Sequence, residues 1–279
     1  MNVVIGTVVV LVSVVVGYLF AHGNLAVLYQ PSEFIIIVGA ASGAFFIGTP
    51  MHTIKRVGKG IVSGITRKKG NAPYMALLQV IYDLSTLARK EGILALEQHV
   101  DNASTSKVFS NISNDKKLLE YISDSVRMVL IGIEISDLSE MLEVDLETRE
   151  NESLEPHSSL STIAESLPGL GIVAAVLGII ITMNSIGGDS AEVGKHVAAA
   201  LVGTFLGVLL CYGLVGPLAR VVKFEMHHEM MMLKIAKVGV IGLSLGNNPM
   251  IVCEAARRVI PENVRPSAEN MEEVLRRKT

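Results

Sequence analysis

The sequence predicts an all-α protein with four transmembrane helices and a cytoplasmic helical domain. Three observations predict it. Half of the 279 residues are hydrophobic, with a mean hydropathy of +0.48, and such apolarity in a chain of this length argues for a membrane protein. Four apolar runs stand apart from the charged stretches. Those charged stretches repeat apolar residues at spacings of three and four, the mark of amphipathic helices.

The last two runs organise the chain. LPGLGIVAAVLGIIITM opens at Leu167, and VAAALVGTFLGVLLCYGLVGPLARVV opens at Val197. No charge falls between Leu167 and Met183 or between Val197 and Ala219. A helix needs about 20 apolar residues to cross a bilayer core, and both runs have the length. Both are rich in small residues, which let helices approach closely in lipid. Pro168 enters the first of them. Pro217 lies inside an apolar run near the end of the second, where it should kink or break the helix and free a carbonyl.

The other two runs lie at the start of the chain. VVIGTVVVLVSVVVGYLF ends at Phe20, and no Lys or Arg precedes Lys55, so it is expected to be an uncleaved span rather than a signal peptide. AHGNLAVLYQPSE is expected to be a polar turn, and Phe34 to Ile47 the second span, extended by flanking residues, with Gly39, Ser42 and Gly43 suited to close packing. Thirteen of the 24 Lys and Arg residues lie in 51–166, one (Lys195) in 184–195, and ten from Arg220 onward. The basic run Lys55, Arg56, Lys59, Arg67, Lys68 and Lys69 then reads as the positive-inside signal. It turns the loops at 21–32 and 184–195 outward and leaves both termini in the cytoplasm.

Residues 1–50 are therefore expected to hold helices 1 and 2, 51–166 a cytoplasmic helical domain, 167–222 helices 3 and 4, and 223–279 a C-terminal cytoplasmic helical region. Within the soluble parts, 72–103 reads as one amphipathic helix, Ser104 to Ser113 as a polar loop, and 115–150 as a longer helix with an acidic outer face. Ser267 is a candidate cap for the last helix.

Several function classes are excluded. The net charge of −3 does not call for nucleic acid. No phosphate-binding glycine loop or nucleophile–base pair is present, so an enzyme is not expected, nor is a cofactor. His227 and His228 are adjacent and point in different directions on a helix, so no metal site is expected there; Met230 to Met232 are expected to pack. The four spans carry no ionisable side chain, although an ion-translocating protein needs one at depth. They offer hydroxyls only: Thr182, Thr204 and Tyr212. Either the protein is a scaffold or a partner brings the carboxylate.

SLPGLGIVAAVLG followed by VGTFLGVLLCYGLVGPLA resembles the MotA family of bacterial flagellar stator subunits. The resemblance runs over nearly the whole chain, through GYLFAHGNL, LYQPSEFIIIVGA, ARKEGILALE and RPS in one order. It implies a pentameric ring around the helices of a MotB-type partner, whose aspartate carries the ion, in the bacterial inner membrane. It implies that Pro168 and Pro217 couple ion flow to movement and that Thr204 faces the pore. Sodium-driven relatives place a second threonine where GIVAA places Ala175; a missing hydroxyl favours protons over sodium, because hard cations want oxygen ligands. In ARKEGILALE it implies that Arg89, Lys90 and Glu97 engage charges on the rotor switch protein FliG. Read without the family, these charges are a solvated helix surface: Arg89 and Glu97, eight residues apart, lie close to one face if the helix is continuous, and Gly92 is a candidate break in it. The rival readings are an energiser of the ExbB or TolQ kind, which has three spans and lacks the charged motif, and a passive scaffold or transporter, which would show polar midplane residues or repeated halves.

Overall fold

The computed structural model describes residues 2–66, 70–184 and 190–276. Arg67, Lys68 and Lys69 of the basic run, and residues 185–189 of the expected outward loop, lie outside the described residues. Among the described residues every regular element is helical. Four helices are long and apolar enough to cross a membrane: Asn2–Phe20, Leu25–Gly48, Ile135–Met183 and His196–Ser244. The chain forms two compact units, one from Met1–Arg67 with Ser153–Met226 and the other from Lys68–Glu152 with His227–Thr279.

In the first unit, α1 (Asn2–Phe20) buries no residue. Val3, Thr7, Val10, Val14 and Tyr18 form one half-buried stripe, and the Val, Ile and Leu residues on the rest of its surface are exposed, as suits a helix facing lipid or other chains rather than water. A single turn, α2 (Leu25–Leu28), is capped by Asn24, whose Oδ1 accepts the Ala26 N–H at 3.0 Å. Next, α3 (Pro31–Gly48) starts earlier than the sequence suggests. Pro31 occupies the first helical position, which its fixed φ and missing donor favour, so Ser32 and Glu33 belong to the helix and not to the turn before it.

The fourth helix, α4 (Met51–Thr66), is strongly amphipathic. Val57 packs with Leu160, Ala219, Val222 and Met226. Thr53 and Ser63 donate hydrogen bonds to the carboxylates of Glu155 (3.2 Å) and Glu225 (2.9 Å). The segment expected to serve as a basic anchor is thus also a packed element.

Two sequence expectations are corrected along the third span. The soluble helix and the span are one helix, α8 (Ile135–Asn184), with Pro156 and Pro168 inside it. Proline in a helix interior removes a hydrogen bond and clashes with the preceding turn. Leu160, Ala164 and Leu167, spaced by four and three, are all buried; their packing holds the helix through Pro168.

The fourth span is equally continuous. α9 (Ser190–Leu209) passes into a π-helical turn, Leu210–Val215, and then into α10 (Gly216–Ser244). The Gly216 N–H donates to the Cys211 carbonyl. Pro217, which has no N–H to give, follows this widened turn directly. The expected break is absent: the helix runs on through a π-helical turn, a known way for a helix to absorb a local mismatch.

In the second unit, α5 (Ala72–Glu91) ends at Gly92, whose φ of 90° takes it out of the helical region. A 3₁₀ turn, Ile93–Leu96, and α6 (Glu97–Asp101) follow, so 72–103 is not one helix. The expected polar loop holds a second 3₁₀ segment, Lys107–Ile112, that buries Phe109 and Ile112. α7 (Lys116–Ile131) starts on the Asp115 side chain and stops at Gly132, left-handed at φ 86°; the expected long helix over 115–150 is therefore divided. α11 (Pro249–Val259) starts on the Asn248 side chain. α12 (Ala268–Arg276) starts on Ser267, whose Oγ accepts the Asn270 N–H at 3.2 Å as expected.

One core joins these helices: Leu77, Leu78, Ile81 and Leu84 from α5, Ile122 and Val126 from α7, Leu138, Leu142 and Leu146 from α8, Ile235 and Val240 from α10, and Cys253 from α11. Met230 and Met232 lie in it too, as packing residues.

Candidate functional site

Within the first unit, α8 and α9 meet through residues too small to keep their backbones apart. A methyl group on Gly207 would stand 2.6 Å from the Leu167 carbonyl oxygen and 2.9 Å from Gly171 Cα. One on Gly171 would stand 2.8 Å from the Gly203 carbonyl oxygen and 3.3 Å from Thr204 Cα. One on Gly178 would stand 3.1 Å from the Ala200 methyl. Glycine here serves backbone-to-backbone approach, which side-chain-free residues make possible in lipid. Gly39 and Gly43, expected to do this job on the second span, have nothing within 4 Å of an added methyl.

This seam carries the expected ion-path residues. Pro168 lies one turn before Gly171. Ala175 is buried, and its backbone nitrogen is 3.3 Å from where a methyl on Gly203 would stand. Thr204 follows Gly203 directly and is half-buried. Of the other two hydroxyls, Thr182 is buried and donates to the Gly178 carbonyl of its own helix at 2.8 Å, so it is already occupied. Tyr212 is exposed. Pro217 lies beyond the π-turn on the same continuous helix.

Glu33 is the residue that sequence reasoning missed. It sits inside α3, only 4% exposed. Its Oε2 is 2.7 Å from the position of a methyl on Gly203, the same point that Ala174 and Ala175 approach. That oxygen has no hydrogen-bond partner among the described residues. The expectation that no span carries an ionisable side chain is corrected by this residue. The signal was available: proline at the first helical position with an acid two residues on is a helix start, not a loop.

In the second unit, Arg89 and Lys90 occupy the last turn of α5, where cations complement the helix dipole. Glu97 begins α6, beyond the break at Gly92. All three are exposed, and none makes an ion pair among the described residues. Arg89 and Lys90 line a surface cavity of about 540 Å³ with Tyr82, Thr86, Asn248 to Met250 and Arg276. Glu97 is not part of that lining. The structure therefore groups the two cations with Arg276 and the start of α11, a partnership the sequence motif does not contain.

Other titratable groups of the second unit pair with one another. His228 Nδ1 lies 2.9 Å from the Tyr74 hydroxyl, and Glu229 pairs with Lys117 at 3.1 Å. Among the described residues no group of His, Cys, Asp and Glu side chains is placed to hold a metal. Burial pushes the Cys253 thiol up to about 12, with Asp83 adding to the effect. Hydrogen bonding to Arg257 holds the Glu254 carboxyl down at about 2, against burial, with Arg258 helping.

The fold and the glycine seam define a multi-pass α-helical membrane protein whose last two spans are packed backbone to backbone. Comparison with known proteins narrows this. Residues 4–92 match the family model "Motility protein A N-terminal" and residues 107–235 the model "MotA/TolQ/ExbB proton channel family". The chain is 36% identical to motility protein A of Escherichia coli K12, over 99% of this chain and 95% of that one. It is 35% identical to chemotaxis protein LafT of Vibrio parahaemolyticus, over 97% of each. A structure of Campylobacter jejuni MotAB shares the fold at TM-score 0.78 and 20% identity, covering 95% of this chain and 98% of that chain. The flagellar MotAB stator complex of Bacillus subtilis shares it at TM-score 0.74 and 21% identity, covering 93% and 96%. The chain belongs to the motility protein A family.

Proposed function

We propose that this chain is the multi-pass subunit of a flagellar stator, which with a MotB-type partner forms an ion channel and turns ion flow into torque on the rotor. The observation that carries the reading is the α8–α9 seam, where Pro168, Ala175 and Thr204 cluster on a helix pair that leads through the π-turn and Pro217 into α10. In this reading the protein sits in the inner membrane as a ring, five copies around the partner's helices, with both termini in the cytoplasm. Residues 1–50 and 167–222 supply the spans, and 51–166 with 223–279 the cytoplasmic part. The partner's aspartate carries the ion past Thr204. Arg89, Lys90 and Glu97 meet the rotor protein FliG; their exposure and their lack of ion pairs among the described residues support a docking face. The match to the motility protein A N-terminal model over residues 4–92 favours this over an ExbB- or TolQ-like energiser.

Ala175 in place of a hydroxyl leaves fewer hard oxygen ligands near Thr204, so the coupling ion is the proton. The test is swimming in a strain whose stator is this chain and its partner. Motility should persist without sodium and stop with a protonophore. Dependence on sodium and indifference to the protonophore would overturn the ion assignment. Normal motility in a strain lacking this gene and every other stator gene would overturn the stator role itself.

A further inference from the structure

The geometry points to Glu33 as a cation-binding carboxylate on this subunit's own part of the ion path, at the level of Ala175 and Thr204. The inference rests on the channel reading above and adds to it a group that this chain, not its partner, supplies. Glu33 Oε2 and the Ala175 backbone nitrogen lie 2.7 and 3.3 Å from one point beside Gly203, so they are at most 6.0 Å apart, the sum of those distances. Thr204 is the next residue. A carboxylate oxygen thus stands beside the position where a second hydroxyl is missing.

Its surroundings leave it no internal use. Oε2 is buried and accepts no hydrogen bond among the described residues. A charged oxygen buried without a partner is costly, and ionisable groups within a membrane span face a pathway or a partner by default. A structural carboxylate would be tied to a helix end or an arginine. Glu33 stands in the first turn of α3, where the N-cap residue Gln30 makes no side-chain capping bond either. Among the described residues no side chain forms an ion pair with Glu33. α2 carries no titratable group, and α8 carries none from Pro168 to Asn184. α9 carries His196 seven residues before Gly203, besides Glu192 and Lys195, and the π-turn carries Cys211 and Tyr212. The group that satisfies Oε2 is therefore a proton or metal cation arriving along the path, taken up from one side and released unchanged to the next acceptor.

Gly203 explains how the carboxylate fits. Any Cβ at 203 would collide with Oε2, so the glycine keeps open the space in which a cation would reach it.

The test uses the full chain co-purified with its partner subunit and reconstituted in vesicles. Cation flux is measured against outside proton concentration and, separately, outside sodium, for wild type, Glu33→Gln and Glu33→Asp. Loss of a charge-assisted contact is worth about tenfold or more in occupancy. At limiting cation Glu33→Gln should therefore lose about tenfold in flux, with half-saturation displaced upward to match. Complex yield should stay within about twofold of wild type, because Gln keeps the shape of Glu. Glu33→Asp, which keeps the charge on a shorter arm, should recover part of the loss. Superimposable wild-type and Glu33→Gln curves would overturn the inference while leaving the channel reading intact. So would equal loss of complex yield in both variants, since that makes Glu33 a packing residue. Absence of flux of either cation from the wild-type complex would sink the channel reading, and this inference with it.

Discussion

Replacing Gly207 by alanine tests the α8–α9 seam most directly. The added methyl would stand 2.6 Å from the Leu167 carbonyl oxygen, 2.9 Å from Gly171 Cα and 3.2 Å from its nitrogen. Ordinary van der Waals contact begins at 3.4 Å, so the first contact is short by roughly 0.8 Å. All three obstacles are backbone atoms of a helix held by the buried Ala164, Leu167 and Ala174, so no side-chain rotation relieves the clash and the helices must separate. Overpacking of this kind costs about 1–3 kcal/mol, which for a chain of this size lowers the melting midpoint by about 2–4 °C per kcal/mol. The control is Gly43→Ala, where an added methyl meets nothing within 4 Å. The assay is thermal unfolding of the two purified variants and wild type in the same detergent, with motility scored in parallel. Gly207→Ala should melt several degrees below Gly43→Ala and move poorly. Equal midpoints for the two variants would refute the backbone-contact argument for the seam.

Three further outcomes are expected. Pro217→Leu restores a backbone N–H just after the π-turn and should let α9 and α10 run as one regular helix. The variant should be recruited to motors, as fluorescence of a tagged chain reports, yet give little torque in tethered cells. Normal torque would exclude a coupling role, and lost recruitment would assign Pro217 to folding. Neutralising Arg89 should reduce motility mildly, since exposed charges guide docking more than they add affinity. Arg89→Glu should reduce it more, and a reversed charge on the rotor protein should restore part of the loss; a double reversal no better than either single one would deny the contact. Glu254 is held below its ordinary 4.5 at about 2 by Arg257 and Arg258. Its contribution to stability is therefore complete above pH 4.5 and is lost as the pH falls towards 2. The stability difference between wild type and Glu254→Gln should shrink across that window in acid unfolding of the full chain, and a difference that stays constant would contradict the pairing.

Hydropathy and charge are properties of composition over short windows, so the sequence by itself determined four spans, an all-helical chain and the residues that mark the family. It also showed the Ser267 cap and the packing role of Met230 to Met232, because both follow from local pattern. What it could not show depends on which atoms approach across the fold. Gly132 reads as an ordinary helix residue and Gly92 only as a candidate break; their positive φ angles divide the helices on either side. Pro168 reads as a helix start; packing of Leu160, Ala164 and Leu167 carries the helix through it. The glycines of the third and fourth spans resemble those of the second, yet Gly171, Gly178, Gly203 and Gly207 meet backbone on the facing helix and Gly39 and Gly43 do not. Arg89 and Lys90 are one motif with Glu97 in sequence but share their cavity with Arg276, brought there by α12. Glu33 lies two residues after a proline in a polar stretch and looks solvated. Helix α3 begins early enough to carry it in, and the bare backbone of Gly203 leaves it room, so its burial was decided by the tertiary structure alone.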